Sequence, residues 1–225
     1  MIKAQGPSVS RPIRAVLLDL DGTLLDTALD MVDALNALRA EQGLDAIPFE
    51  TARLQVSHGA AALVRLGFPG IADYEPLCLR YLDLYRARLA AQTRPFAGWL
   101  EVLAALDRAG IRWGVVTNKP AWLTEPLLDA LSLRSRAGVI VSGDTVSKRK
   151  PHPLPLLHAA QVLGLAPCEC IYAGDAERDV ESAVAAGMPV LVALFGYIDP
   201  LEMPLRWPAN GWINSPLEML HWLDM

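Results

Sequence analysis

Two carboxylates, Asp19 and Asp21, are the first residues of the sequence whose types and spacing could do chemistry. They directly follow residues 13–18, an apolar run with the length and continuity of a buried parallel strand. Open α/β sheets bind ligands at the carboxyl ends of such strands, and Gly22 would permit a tight turn close to a ligand. The pair predicts a functional site, with a polar turn that simply ends the strand as the alternative.

Polar residues follow other apolar runs in the same way. Thr117 and Asn118 come after residues 112–116, and a hydroxyl with exposed backbone N–H groups there suits the oxygens of a phosphate. Asp175 comes after residues 170–173, in the position that the paired carboxylates take after the first run. Because the carboxyl ends of parallel strands meet at one edge of a sheet, we expect these side chains to lie together.

Three further side chains are candidates for the same site. Lys150 could bind an anion, although the adjacent Lys148 and Arg149 also fit a solvated basic run. Asp179 stands at a predicted helix start, where capping is the alternative role. His58 stands near the start of another predicted helix and could contact an anionic substrate group, with an exposed capping segment as the alternative.

The elements that must position these residues alternate between apolar runs and helical segments. This alternation predicts an α/β fold with a Rossmann-like, doubly wound parallel sheet. The predicted strands are residues 13–18, 112–116, 139–141, 170–173 and 189–194. The predicted core helices are residues 101–110, 124–133, 154–164 and 179–187.

One long segment interrupts this alternation. Residues 27–94 contain no convincing strand, and a row of apolar residues recurs there at helical spacing: Leu29, Val32, Leu35 and Leu38. Two further helices are predicted at residues 59–66 and 74–91. Such a segment is too long for a crossover. We therefore predict a core of residues 12–24 and 96–225 and an inserted helical cap of residues 25–95, with hinges near 24–27 and 94–98.

Composition excludes several classes of protein. The chain has 225 residues, of which 52% are hydrophobic and 20% charged, as expected of one large domain or one domain with an insert. Its net charge of −5 gives no general attraction to nucleic acid or to an anionic membrane. The three cysteines lack zinc-site spacing, and residues 1–14 lack the apolar region of a signal peptide. We expect a cytoplasmic protein with neither nucleic acid nor membrane as a partner.

The ordered motifs resemble those of the haloacid dehalogenase superfamily. The resemblance rests on Asp19-Leu20-Asp21-Gly22-Thr23, Thr117-Asn118, Lys150-Pro151 and Gly174 to Asp179, and it spans residues 13–195. The helical insert resembles the superfamily's C1 cap. Residues 113–120 are similar to the second motif of phosphoglycolate phosphatase-like members. Together with residues 125–126 and 196–200, they also resemble a subgroup that dephosphorylates N-acetylmuramate 6-phosphate.

The resemblance implies a Mg²⁺-dependent phosphatase that acts on a small phosphorylated metabolite. Asp19 would attack phosphorus and form an aspartyl-phosphate. Asp21 would protonate the leaving oxygen and then deprotonate water, while its carbonyl contacts the metal. Asp175 would complete the metal shell, and Asp179 would orient a metal-bound water or Lys150. The groups that would stabilise the phosphoryl oxygens are Gly22, Thr117, Asn118 and Lys150.

The substrate and the assembly state stay open at this point. Phosphoglycolate and N-acetylmuramate 6-phosphate are both phosphorylated carboxylates, and a phosphosugar mutase could use the same core. A catalytically silent binding protein is a further alternative, against which the intact pair of Asp19 and Asp21 argues. The sequence contains no P-loop, GxSxG or HExxH pattern. A monomer and a homodimer fit equally well.

Overall fold

The structure is a computed structural model, and it describes residues 12–225 of the chain. The expectation that residues 1–14 are not a signal peptide therefore concerns, for residues 1–11, a part of the chain outside the described residues. A six-stranded parallel sheet has the order β5-β4-β1-β6-β7-β8. Its strands are β1 (Ala15–Leu18), β4 (Arg112–Val116), β5 (Val139–Val141), β6 (Cys170–Gly174), β7 (Val190–Ala193) and β8 (Gly211–Ile213). Two short antiparallel strands, β2 (Leu25–Asp26) and β3 (Arg94–Pro95), pair with each other.

Four helices belong to the core and four to the insert. The core helices are α5 (Trp99–Ala109), α6 (Ala121–Ala130), α7 (Leu154–Val162) and α8 (Glu177–Ala186). The insert has α1 (Ala28–Glu41), α2 (Phe49–Arg53), α3 (Ala60–Gly67) and α4 (Glu75–Ala87). Short 3₁₀ helices are Arg134–Arg136, Pro167–Glu169, Pro200–Glu202, Pro204–Arg206 and Pro216–Leu223. Among residues 12–225, no helix is both long enough and apolar enough to cross a membrane.

The predicted α/β fold is confirmed, with small differences at the ends of elements. All five predicted strands are present, and the sixth, β8, was missed because it contains only three residues at the sheet edge. Helix α6 begins earlier than predicted, at Ala121, and it accommodates Pro126 within its span. The five-residue helix α2 was missed because it is too short to show a helical period.

The sheet is covered on both faces, which explains its nearly continuous apolar strands. Along β1, Ala15 and Leu17 pack into one buried cluster with residues of α7 and α8. Val16 and Leu18 pack into a second cluster with residues of α5 and α6. Alternate side chains of one strand thus enter two separate cores, and neither face can be polar.

A third apolar cluster contains residues of all four insert helices, together with Leu123 and Tyr197 of the core. The inner face of α1 is formed by Met31, Val32, Leu35 and Leu38. Leu29, which the helical spacing assigned to that face, is 40% exposed. The prediction was wrong at this position because Leu29 lies in the first turn of α1, away from the inner stripe. Strands β2 and β3 connect the insert to the core at the two positions where hinges were predicted.

A buried carboxylate fastens the return segment of the insert to α1. Asp30 is fully buried, and its oxygens accept hydrogen bonds from the backbone N–H groups of Gln92 and Thr93, at 2.9 Å each. The Thr93 hydroxyl adds a third donor at 2.7 Å. These bonds hold the segment that leads into β3.

We expect Asp30→Ala to destabilise the protein by about 2–4 kcal/mol, because it leaves buried donors without an acceptor. Urea denaturation followed by circular dichroism measures the loss. Asp33→Ala is the matched control on the same helix. Its carboxylate is 41% exposed and pairs with Arg88, so about 0–1 kcal/mol is expected. Equal losses for the two variants would contradict the assigned role of Asp30.

Candidate active site

The sheet order brings the predicted site residues to one edge. β1 lies between β4 and β6, so the residues that follow these three strands are neighbours in space. Asp19 follows β1, Thr117 follows β4, and Asp175 follows β6. The three positions are distant in the sequence, and parallel pairing alone aligns their carboxyl ends.

The turn after β1 depends on Gly22. Its φ of +82° lies in the region that favours glycine. A Cβ at this position would lie 2.1 Å from Oδ2 of Asp175 and 2.9 Å from the ring of Tyr197. The missing side chain therefore lets the turn approach Asp175, which supports the structural part of the role predicted for Gly22.

Lys150 is the buried cation of the site and no part of a solvated run. Its Nζ lies 2.9 Å from Oδ1 of Asp19 and 2.7 Å from Oδ1 of Asp179. It also donates to the Tyr172 hydroxyl at 2.7 Å and to the Val116 carbonyl at 3.0 Å. Four oxygens thus surround the ammonium. Lys150 as a whole is 4% exposed, whereas the preceding residues Lys148 and Arg149 are exposed.

The side chain of Asn118 holds Lys150 in place. Its amide donates to the Lys150 carbonyl at 2.9 Å, and its oxygen accepts the Lys150 backbone N–H at 3.0 Å. The Asn118 side chain is therefore held against the backbone of Lys150. Its role in binding a phosphate stays a prediction, for which its backbone N–H and its second amide N–H are the available donors.

Asp179 has both of its oxygens engaged. Oδ1 accepts from Lys150 and, at 3.1 Å, from the Tyr172 hydroxyl. Oδ2 accepts the Ala176 backbone N–H at 3.1 Å, which is the helix-capping role considered as the alternative. Asp179 thus caps α8 and positions Lys150 at once.

Three buried carboxylates, Asp19, Asp175 and Asp179, offer oxygens within 4.8 Å of one another. Burial, followed by the charges of Asp19 and Asp179, raises the pKa of Asp175 to about 7. Burial also raises the pKa of Asp19, although the charge of Lys150 opposes it. Burial acts to raise the pKa of Asp179 as well, but Lys150 and then Arg178 outweigh it and lower that pKa. Three ionised carboxylates would carry more negative charge than the nearby cations, Lys150 and Arg178, neutralise.

This charge imbalance fits a cation. Among residues 12–225, the ion pairs of the cluster join Lys150 to Asp19 and to Asp179, and none includes Asp175. The donors are all oxygens, the ligand type that Mg²⁺ prefers. In the part of the chain that the structure describes, Asp19, Asp175 and Asp179 are the three carboxylates that could hold a divalent ion. Asp175 differs from the other two in that it is not ion-paired with Lys150.

Asp21 lies beside two side chains that the sequence did not point out. Its Oδ1 accepts from the Thr27 hydroxyl at 2.7 Å and from Lys119 Nζ at 2.9 Å. Lys119 also contacts the hydroxyl of Tyr85, a residue of α4 in the insert, at 2.9 Å. The only sequence signal for Lys119 was its place directly after Thr117 and Asn118.

The insert reaches the carboxylate cluster through Ser57. The Ser57 hydroxyl donates to Oδ2 of Asp175 at 2.6 Å, and Arg178 donates to the Ser57 carbonyl at 2.5 Å. His58 follows, with a side chain 41% exposed and its Nε2 3.5 Å from Oε1 of Glu202. His58 lines the cavity, but its partner here is this acid of the core.

A cavity of about 710 Å³ lies between the core and the insert. Its core side carries Asp19, Asp21, Thr117, Asn118 and Lys119. Its insert side carries apolar and aromatic residues, which include Met31, Val56, Tyr81, Leu82 and Tyr85. Asp175, Asp179 and Lys150 do not line this cavity, because they lie deeper, beneath Asp19.

Sequence reasoning also missed Tyr172. Its hydroxyl contacts Lys150, Asp179 and the Val116 carbonyl, and burial, together with the charges of Asp179 and Asp19, keeps its pKa well above the ordinary value. Tyr172 lies inside an apolar strand, two residues before Gly174. Its polar atom was therefore the one available signal.

Comparison with known proteins agrees with this arrangement. The family model described as haloacid dehalogenase-like hydrolase matches residues 16–193. A phosphoglycolate phosphatase of Xanthomonas campestris pv. campestris is 44% identical over 208 residues, covering 92% of this chain and 94% of that protein. An N-acetylmuramic acid 6-phosphate phosphatase of Pseudomonas aeruginosa is 41% identical over 216 residues, covering 94% and 95%.

A solved structure shows the same fold. The crystal structure of a predicted phosphoglycolate phosphatase from Haemophilus somnus 129Pt superposes with a TM-score of 0.83 at 22% identity. The match covers 93% of this chain and 97% of that one. With the family model matching most of the core, these findings establish that the chain belongs to the haloacid dehalogenase-like hydrolase family.

Proposed function

We propose that the protein hydrolyses a small phosphomonoester with Asp19 as the nucleophile. The observation that carries the proposal is the state of the Asp19 carboxylate. Oδ1 is fixed by the Leu20 backbone N–H at 2.8 Å and by Lys150 at 2.9 Å. Oδ2 receives no hydrogen bond from residues 12–225, and Asp19 lines the cavity. One oxygen is held while the other is left to attack.

The reaction follows from the neighbours of Asp19. Oδ2 attacks phosphorus to form an aspartyl-phosphate, and the ester oxygen leaves with a proton from Asp21. Asp21 then takes a proton from the water that cleaves the aspartyl-phosphate. The Thr117 hydroxyl stabilises charge on the phosphoryl oxygens by direct contact, which contributes about 2.7–4 kcal/mol. Lys150, which lies behind Asp19, stabilises the same charge at longer range.

We infer that Mg²⁺ is the cofactor, held by Asp19, Asp175 and the carbonyl of Asp21. When bound, it supplies positive charge that lets an anionic phosphate approach a carboxylate. Asp179 keeps Lys150 in place beside this centre. The insert, which we define as residues 25–95, closes the cavity and selects the substrate. We place the reaction in the cytoplasm, with no nucleic acid or membrane as a partner.

The proposed substrate is a phosphorylated carboxylate, with phosphoglycolate as the first candidate because relatives carry that name. N-acetylmuramate 6-phosphate is the second candidate, and the size of the cavity favours it. A volume of about 710 Å³ is within the range that encloses drug-sized ligands. Tyr81, Tyr85 and Trp122 line it and could pack against a sugar ring.

We expect Asp19→Asn to abolish phosphate release, because an amide cannot form the aspartyl-phosphate. A phosphate-release assay with p-nitrophenyl phosphate and Mg²⁺ measures this, and circular dichroism checks the fold. Asp45→Asn is the matched control, since Asp45 is exposed and far from the cavity lining. Turnover by Asp19→Asn at the wild-type rate would refute the mechanism.

We expect Asp175→Asn to remove the response to Mg²⁺. Thermal melting should show that Mg²⁺ stabilises the wild type but leaves this variant unchanged, because a ligand carboxylate is gone. Without Mg²⁺ the variant should melt no lower than the wild type, since one of three clustered charges has been removed. A magnesium shift that persists in Asp175→Asn would exclude Asp175 as a ligand.

A substrate panel separates the two candidates. We expect phosphate release from phosphoglycolate or from N-acetylmuramate 6-phosphate with kcat/KM at least about tenfold above that for glucose 6-phosphate. Conversion of hexose 1-phosphate to hexose 6-phosphate without free phosphate would instead identify a mutase. The panel is read by phosphate release and by chromatography of the sugar phosphates.

A further inference from the structure

Lys119 is a buried cation of the cavity that the proposed reaction leaves without a role. The residue is 8% exposed and lies on the loop after β4. Its Nζ is 2.9 Å from Oδ1 and 3.2 Å from Oδ2 of Asp21. It is also 2.9 Å from the Tyr85 hydroxyl and 4.6 Å from the centre of that ring. The ammonium therefore lies beside the acid that protonates the leaving group, between core and insert.

The backbone of Lys119 is fixed relative to the phosphate-binding end of the site. Its N–H donates to Oγ1 of Thr117 at 3.2 Å. Its carbonyl accepts the Gly143 N–H at 2.8 Å and the Thr124 hydroxyl at 3.2 Å. The backbone from which this cation projects is thus held beside Thr117 by three hydrogen bonds.

The Tyr85 hydroxyl has a proton to offer to a ligand, and Lys119 can exchange one of its bonds for a ligand. The three N–H groups of the ammonium face three oxygens among residues 12–225: Oδ1 and Oδ2 of Asp21 and the Tyr85 hydroxyl. The bond to Oδ2 of Asp21, at 3.2 Å, is the longest of the three and the one that a ligand oxygen would replace. The Tyr85 hydroxyl accepts from Lys119 and donates to no residue of the part of the chain that the structure describes, so its own proton is available. Both side chains line the cavity. A charged N–H beside an O–H is a donor set for a carboxylate.

The other cations of the cavity have their contacts away from Asp21. Arg149 donates to the Gly143 carbonyl at 2.7 Å, and Arg178 donates to the Ser57 carbonyl. His58 lies beside Glu202 at 3.5 Å. Among the cavity-lining cations, Lys119 is the one in contact with Asp21. In the proposed reaction Asp21 must reach the leaving oxygen, so Lys119 is the cation expected nearest to that oxygen.

We propose that Lys119, with the Tyr85 hydroxyl, binds a substrate carboxylate that lies one carbon from the phosphoester oxygen. The inference rests on the proposed phosphatase function and names its substrate class, the 2-phosphooxy carboxylic acids, of which phosphoglycolate is the simplest. A carboxylate that close to the leaving oxygen falls next to Asp21, where Lys119 is. The carboxyl of N-acetylmuramate 6-phosphate lies across the sugar ring from its phosphate, out of reach of this pair.

The test compares substrates with and without the carboxylate. The matched pair is phosphoglycolate and ethyl phosphate, and a second pair is N-acetylmuramate 6-phosphate and N-acetylglucosamine 6-phosphate. Steady-state kcat and KM are measured for the wild type, Lys119→Met and Tyr85→Phe. Lys148→Met is the control, because it makes the same change at an exposed lysine.

We expect the wild type to prefer phosphoglycolate to ethyl phosphate. Lys119→Met should raise KM for phosphoglycolate about 10- to 100-fold, the effect of losing a hydrogen bond to a charged group, and change KM for ethyl phosphate less than threefold. Because Lys119 also contacts Asp21, kcat should change for both substrates by the same factor. Tyr85→Phe, which only removes a hydroxyl, should show the same substrate dependence with a smaller effect. Lys148→Met should match the wild type.

Three results would overturn the inference. They are a wild type without preference for the carboxylate, an equal rise in KM for both members of the pair in Lys119→Met, and a rise in KM confined to the amino-sugar pair. If Lys119→Met does not fold, as judged by thermal melting, the Tyr85→Phe ratio decides. The phosphatase function is tested separately. It requires that the wild type hydrolyses p-nitrophenyl phosphate and that Asp19→Asn does not.

Discussion

The ion-paired ammonium of Lys150 is the interaction on which the rest of the site depends. It lies between Asp19 and Asp179, with 1% of its side chain exposed. Removing charges from water costs several kcal/mol per ion unless partners and hydrogen bonds compensate. Val116 and Tyr172 supply these additional bonds from β4 and β6, the two strands that flank β1. The cluster can therefore exist only where strand ends converge, inside a sheet that is covered on both faces.

The same charge balance connects the chemistry to the insert. Asp175 lies outside the ion pairs of Lys150, and its hydrogen-bond donors include the Ser57 hydroxyl of the insert and the Tyr197 backbone. Lys119 is likewise shared between Asp21 of the core and Tyr85 of the insert. The insert is thus more than a lid over the cavity, because its side chains complete the surroundings of two site carboxylates. A change in its position would alter both.

Much of the architecture could be predicted because it follows from local pattern. Parallel strands buried on both faces are apolar runs, and the polar residues directly after them are easily recognised. Two elements were missed because they are too short for the spacing of their apolar residues to show a helical or strand period. They are the five-residue helix α2 and the three-residue strand β8. The sequence also could not show which partner a polar side chain takes. The Asn118 amide pairs with the backbone of Lys150, 32 residues away along the chain.

Sequence alone determined the fold class, the family resemblance and the set of carboxylates, since each rests on residue type and spacing along the chain. Only the tertiary structure decided which groups touch. It placed Tyr172 beneath Lys150, Ser57 on Asp175 and Tyr85 on Lys119. The physical reason is that these contacts join residues separated by 22 to 118 positions. The packing of strands and helices sets such distances, and no local spacing records them.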